Sequence, residues 1–273
     1  MAVIRLGTPA PVLPARRIRL DAPGMLALQR AGEVSLPDDV RIDVNAVEAR
    51  LAGVDLDALV DEATARLREH GVLGSDGRPV ETVAGNLQGM LSAPRRVRTT
   101  YAGPGRAVVG YHWTGAELAG SLVRDGDHAE LSLFDARSLG DEIIRMLPEA
   151  EESDEERTTL VVPIDELAAV AAIEDDVTDK HTGPLADFLG LDVGLLGALR
   201  SWVDGFRGVL HCTVVDTDPD RLPHALVWFD ERSGWWSART RTGDDGTRSA
   251  VLEPRRRDEL AADLGVLIAE AWT

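Results

Sequence analysis

Between Asp55 and His70 the apolar residues Leu56, Leu59, Val60, Ala63 and Leu67 recur at helical spacing, which lays them in one stripe. Asp55 can cap the start of this helix and Gly71 its end. Val80, Val83, Leu87, Met90 and Leu91 repeat the pattern after Pro79. Gly85 and Gly89 each cost this second helix about 1 kcal/mol of propensity, and Pro94 predicts its stop. From Arg95 the period falls to two. Strand-like runs at Arg95 to Tyr101, Arg106 to Trp113, Glu117 to Arg124 and His128 to Phe134 are broken by Gly103-Pro104-Gly105, Thr114-Gly115 and Asp125-Gly126-Asp127. These are turn formers, so the runs predict an antiparallel meander. Leu139, Ile143, Ile144 and Leu147 then form one face of a helix that Pro148 ends. Residues 1 to 44 are proline-rich and weakly patterned, with Ile18 and Leu20 in an extended piece and Met25, Leu26 and Leu28 in a short helix.

Glu149 to Glu156 (EAEESDEE) is a block of like charge with nothing apolar to bury, and is expected to be an exposed, mobile linker. Beyond it the earlier order returns. A short extended TTLVV leads to a helix opened by Pro163 and a longer one opened by Pro184 that reaches about Trp202, proline being suited to a first helical turn. Strand-like runs follow at Phe206 to Val215, His224 to Asp230, Gly234 to Thr242 and Arg248 to Leu252, and Pro254 opens a last helix with the stripe Leu260, Leu264, Leu267 and Ile268. The offset between the copies, roughly 110 to 120 residues, is too long for a solenoid repeat. The expectation is an α/β protein of the α+β type. Its central antiparallel sheet is built from two four-stranded meanders related by a quasi-twofold, each followed by a helix, with further helices packed on the sheet. The halves are 1–148 and 159–273, joined by the acidic linker 149–158 and expected to form one compact domain.

Of 273 residues 44% are hydrophobic, enough for a proper core. The 47 acidic against 29 basic side chains give a formal charge of -18, which disfavours phosphate backbones and anionic lipid as partners. No apolar run approaches the roughly 20 residues of a membrane span, and the prolines in MAVIRLGTPAPVLPARRIRL interrupt what a signal peptide would keep continuous. A cytoplasmic location is expected. Cys212 is the only cysteine, so no internal disulfide or multi-cysteine metal site is available.

Tests for chemistry are mostly negative. Gly-Lys occurs nowhere, so no P-loop can form. Gly103-Pro104-Gly105 opens on a strand and meets Val108 where a dinucleotide fingerprint needs its third glycine, so it reads as a hairpin turn. His70, His112, His128, His181, His211 and His224 never fall at the close spacing of paired metal ligands. Neighbours on a strand point to opposite faces, which separates His211 from Cys212. No Gly-x-Ser-x-Gly elbow is present. No cofactor is implied, and no enzyme.

What remains is aromatic and apolar surface. Trp228, Phe229, Trp235 and Trp236 lie on consecutive strand runs, and alternation sends Trp235 and Trp236 to opposite faces. One face can pack as core. The other is either covered within the chain or left as binding surface. Phe188, Leu189, Leu191, Leu195 and Leu196 spread around more of their helix than one stripe needs, so some of them are expected to face a partner. With Trp228, Trp235, Trp236, Arg239 and Arg241 they form the candidate partner-binding set. The competing reading buries that helix on several sides.

The chain also resembles a known family. REHGVL with the following GSDGR, LSAPRRVRTTY at the start of the sheet, SLVRDGDHAELSLF running into DEIIRMLPE, and ALVWFDERSGWWSARTR carry a likeness to the EspG family of ESX (type VII) secretion-associated chaperones of actinobacteria. The likeness runs from about Asp55 onward. It implies a quasi-twofold α/β protein that binds the helical tip of one secretion substrate, a PPE protein in mycobacteria, and holds it soluble until export. The acidic linker and proline-rich start are not family marks, so another helical export substrate stays open. So does monomer against homodimer. An enzyme using carboxylates or His112 in a cleft between the halves, and a regulatory scaffold, are the alternatives.

Overall fold

The computed structural model describes residues 14–32, 36–50, 53–149, 157–171, 182–216 and 224–270. Its elements in the first part of the chain are β1 (Arg16–Leu20), α1 (Ala22–Ala31), α2 (Val44–Arg50), α3 (Leu56–Glu69), α4 (Glu81–Ser92), β2 (Arg95–Gly103), β3 (Arg106–Thr114), β4 (Leu118–Asp125), β5 (His128–Asp135) and α5 (Leu139–Arg145). There follow β6 (Leu160–Pro163), α6 (Ile164–Ala171), α7 (Thr182–Leu189), α8 (Val193–Asp204), β7 (Phe206–Asp216), β8 (His224–Glu231), β9 (Gly234–Thr242), β10 (Arg248–Arg255) and α9 (Arg257–Glu270). The strands hydrogen-bond in the order β1-β5-β4-β3-β2-β7-β8-β9-β10-β6. Both expected meanders are present in this antiparallel sheet, each flanked at its outer side by a short strand from elsewhere in the chain. Of the acidic stretch only Glu149 is described; residues 150–156, on which the expectation of a mobile linker rests, lie outside the described residues. By their contacts the residues group into two units, one of Met1–Arg96 with Gly110–Glu142 and one of Val97–Val109 with Ile143–Thr273.

In the first unit α3 buries Leu56, Val60, Ala63 and Leu67, four of the five residues of the stripe read from the sequence, with Leu59 half-buried. Asp55 caps it by accepting from the Ala58 amide at 3.1 Å. At its other end Gly71 has φ +67°, and Val72 N–H donates to Leu67 C=O at 2.9 Å, a left-handed glycine stop. The helix packs on α1, which lies over β1 and β5. On α4 the buried face is Val83, Asn86, Leu87 and Met90. Asn86 is the polar member that apolar periodicity skips. Its Nδ2 donates to Ser132 C=O at 2.8 Å and its Oδ1 accepts from the Trp113 indole at 2.7 Å, so a buried amide is satisfied on both sides. Two glycines make this approach possible. A Cβ on Gly89 would stand 2.6 Å from the Trp113 ring, and one on Gly120 2.0 Å from Asn86 Oδ1.

In the second unit β2 meets β7 at another glycine pair. A Cβ on Gly103 would lie 2.8 Å from Arg207 C=O, and one on Gly208 2.8 Å from Ala102 C=O. Tyr101 covers both positions and donates to Asp230 Oδ2 at 2.9 Å, while Arg207 donates to Asp230 Oδ1 at 2.8 and 3.1 Å. The register of β7 on β8 shifts between Phe206 and Gly208, a bulge that turns Arg207 toward Asp230 and Phe206 toward the opposite face. That opposite face is covered by α6, α7 and α8 over Leu160, Val162, Trp236 and Leu252. On the Asp230 face, α9 packs on β8 with Leu260, Leu264, Leu267 and Ile268 buried. Arg106 donates to Met146 C=O at 3.1 Å, and Arg257 to Ile144 and Leu147 C=O at 3.0 and 3.2 Å, placing two cations where α5 exposes its last carbonyls.

Two expected boundaries are corrected. The single helix from Pro184 to Trp202 is two helices. Gly190 at φ +67° ends α7, with Leu191 N–H donating to Ala186 C=O at 2.9 Å, and Asp192 caps α8 through the Gly194 and Leu195 amides. Pro254 does not open the last helix; it pairs with Trp236 inside β10, and α9 begins at Arg257. The strand tolerates this proline because β6 reaches only to Leu252 and leaves Pro254 with a ladder neighbour on one side.

Two outcomes test these interiors. Gly120→Ala is expected to destabilise by about 1–3 kcal/mol in urea unfolding, since the new methyl overlaps the Asn86 amide; an unchanged midpoint would show that the helix and strand part freely. His112 is 1% exposed, and burial lowers its pKa from 6.5 to about 3. The unfolded chain therefore binds the extra proton between those values, so this contribution is full above pH 6.5 and lost as pH falls toward 3. His112→Gln is expected to flatten the decline in stability between pH 6.5 and 4 by up to about 1.4 kcal/mol per pH unit; equal slopes in both proteins would contradict a buried neutral imidazole.

Candidate partner-docking surface

The candidate residues fall into three groups by what their side chains already touch. Trp228 and Trp235 are 0% exposed, Trp236 5% and Leu196 0%, so in the free protein all four are core. The alternation of Trp235 and Trp236 holds. Trp235 meets Tyr101 edge-on at 6.3 Å on the Asp230 face, while Trp236 joins the helix-covered core and meets Trp202 at 6.5 Å. Helices are plentiful enough to cover both faces here, which is why neither indole is left as surface. Leu189, Leu191 and Leu195 are half-buried and pack against that same core. Phe188 stands apart at 84% exposed. Arg239 is exposed and pairs with Glu253 at 2.7 Å, and Arg241 is exposed.

The isolation of Phe188 follows from local geometry. It precedes the left-handed glycine stop of α7 by one turn's edge, while Ala186 on the opposite side of that turn is 0% exposed. Asp192 then starts α8 at once, and Val193, 52% exposed, follows the cap. A helix stop, a cap and two apolar side chains thus make a water-facing corner. A second apolar edge was missed from the sequence. Phe206 is 45% exposed while touching Phe229 at 6.0 Å and Trp202 at 6.4 Å. Strict alternation assigns Phe206 to the wrong face, because the bulge beside it has no sequence mark.

Catalytic readings find little support in these surroundings. Burial pushes the Cys212 thiol up to about 12, so it stays protonated at neutral pH. His211 Nδ1 faces Thr213 Oγ1 at 3.4 Å on its own strand. Tyr101 is also pushed up to about 12, by burial first and then by its hydrogen bond to Asp230, which fits a structural donor. Among the described residues no group of three or more His, Cys, Asp or Glu side chains is placed to hold a metal, and no helix is long and apolar enough to cross a membrane.

The EspG family model matches residues 47–265, most of the chain. The protein belongs to the EspG family. The match begins within α2 and ends within α9, so it takes in both meanders and the Phe188 corner of this EspG protein. A solved structure titled as the Mycobacterium tuberculosis type VII secretion system chaperone EspG5 in complex with a PE25-PPE41 dimer has the same fold. The TM-score is 0.58 at 13% identity, over 90% of this chain and 94% of that one. No curated protein matches this sequence.

Because Phe188 is mostly in water and Leu196 is not, substitutions at the two positions should differ in their effect on folding. Phe188→Glu is expected to leave the thermal midpoint of this EspG protein nearly unchanged, within about 0.5 kcal/mol. Leu196→Glu, which buries a charge, should unfold the α6–α8 layer. Leu191→Glu should also destabilise, because Leu191 packs on the core and is not a free anchor. Equal thermal losses for Phe188→Glu and Leu196→Glu would show that the corner is core.

Proposed function

We propose that this EspG-family protein is a non-catalytic cytosolic chaperone or adaptor that binds the apolar helical tip of a type VII secretion substrate and keeps it soluble for export. The family match across residues 47–265 carries this reading. The fold shared with EspG5, whose structure holds a PE25-PPE41 dimer, supports a PPE-type helical protein as the substrate. The exposed Phe188 and Val193 corner and the half-open Phe206 edge supply anchors of the kind that interfaces use, apolar side chains held at the ends of helices and strands. No nucleotide and no cofactor are needed, since the binding energy comes from covering apolar surface that each partner otherwise exposes. In the same reading the two meanders are duplicates related by a quasi-twofold, supported by a strand order in which each run of four consecutive strands carries one outer strand.

Co-expression with a PE–PPE-type pair encoded near this protein, followed by size-exclusion chromatography, tests the assignment. A co-eluting complex that Phe188→Glu abolishes is the expected result. Failure of the wild-type protein to co-elute with any such pair would contradict the chaperone reading. A complex that survives the substitution would move the docking site elsewhere.

A further inference from the structure

The ladder between β8 and β9 stops short. It runs from Glu231↔Gly234 to Val227↔Ala238 and no further. Yet β8 continues to His224, paired with β7 through Val214↔His224, and β9 continues to Thr242, paired with β10 through Arg248↔Thr242. The sheet therefore forks. His224 to Leu226 on one branch and Arg239 to Thr242 on the other have a paired strand on their outer sides only, and all of Arg239 to Thr242 are exposed. Among the described residues, the inward-facing backbone N–H and C=O groups of each branch have no ladder partner, the chemistry that an added strand satisfies.

The side chains at the fork specify more than a backbone. Extending the register places Arg239 and Arg241 on the same face as Leu226 and His224, and Ala225, Thr240 and Thr242 on the other. Among the described residues no carboxylate pairs with Arg241, although the chain carries a net charge of -18. One face of the fork thus carries Arg241 beside an Arg239 already paired with Glu253 at 2.7 Å, and the other is small and uncharged. We propose that this fork binds an extended acidic segment of a protein partner, added as a strand to the free edge of β9. One carboxylate would meet Arg241 and the next in the alternation would share Arg239 with Glu253, and small or β-branched residues between them would meet Thr240 and Thr242. The proposal is independent of the chaperone reading, because it needs neither the Phe188 corner nor a helical substrate.

A capped peptide of alternating glutamate and threonine, titrated into the full chain by fluorescence anisotropy, tests it, with amide hydrogen exchange as a second readout. The peptide is expected to bind and to slow exchange at alternate amides within Arg239 to Thr242. Arg241→Glu should weaken binding by roughly tenfold or more, the size of one lost charge-assisted pair, and Arg241→Lys should retain most of it. A peptide of the same composition with its glutamates in one block should bind less well. Any of four results overturns the proposal: no binding, equal binding by Arg241→Glu, equal binding of the block peptide, or protection that leaves β9 unchanged.

Discussion

Asp230 is a carboxylate at 2% exposure, held between the Tyr101 hydroxyl and the Arg207 guanidinium. Left alone it would carry a desolvation cost of several kcal/mol, and removing either partner exposes that cost. Its position depends on two glycines. Gly103 and Gly208 let β2 and β7 approach with Tyr101 laid across them, and any side chain there would meet backbone carbonyls. The bulge at Phe206 and Gly208 completes the arrangement by turning Arg207 to the carboxylate. One consequence reaches the other face, because the same bulge sends Phe206 toward Trp202 and Phe229. Satisfying a buried charge therefore fixes where an apolar edge meets water.

The covering of the second unit's sheet has a similar logic. With helices over both faces, the tryptophans of β8 and β9 are consumed as core, and what is left for a partner is set by helix ends. A left-handed glycine and an aspartate cap end α7 and start α8, and Phe188 lies on the side of α7 away from buried Ala186. The proposed surface for recognition is small, and its side chains stand on two capped helix ends, which limits the ordering a docking partner would require.

Much of this was legible in the sequence. The change from helical to two-residue period at Arg95, the turn triplets, and the second copy after the acidic block gave the strands and their antiparallel order. The α3 stripe and both of its caps appear as read, and the family resemblance agrees with the family match. Other features were legible only in part. The extended pieces at Ile18 to Leu20 and in TTLVV became β1 and β6, but their places at the outer edges of the sheet are set by partners far along the chain, as in the pairing of Leu20 with Ala129. A proline looked like a helix start at Pro254 because sequence does not show that β6 ends beside Leu252. For the candidate site the aromatic residues were correctly placed on opposite faces, yet which face stays open is a tertiary fact. Gly190 was the available clue to the corner, since a glycine with an aspartate two residues on, Asp192, within an apolar helix run can end one helix and cap the next.

The central claim is that the α7–α8 corner, and not the buried tryptophans, meets the partner. Hydrogen-exchange mass spectrometry of the protein free and in complex with its co-purified helical substrate tests this most directly. The account predicts new protection concentrated at residues 182–195, with exchange across the Trp228 and Trp235 strand segments unchanged. Protection confined to the meanders, with residues 182–195 exchanging as in the free protein, would contradict it.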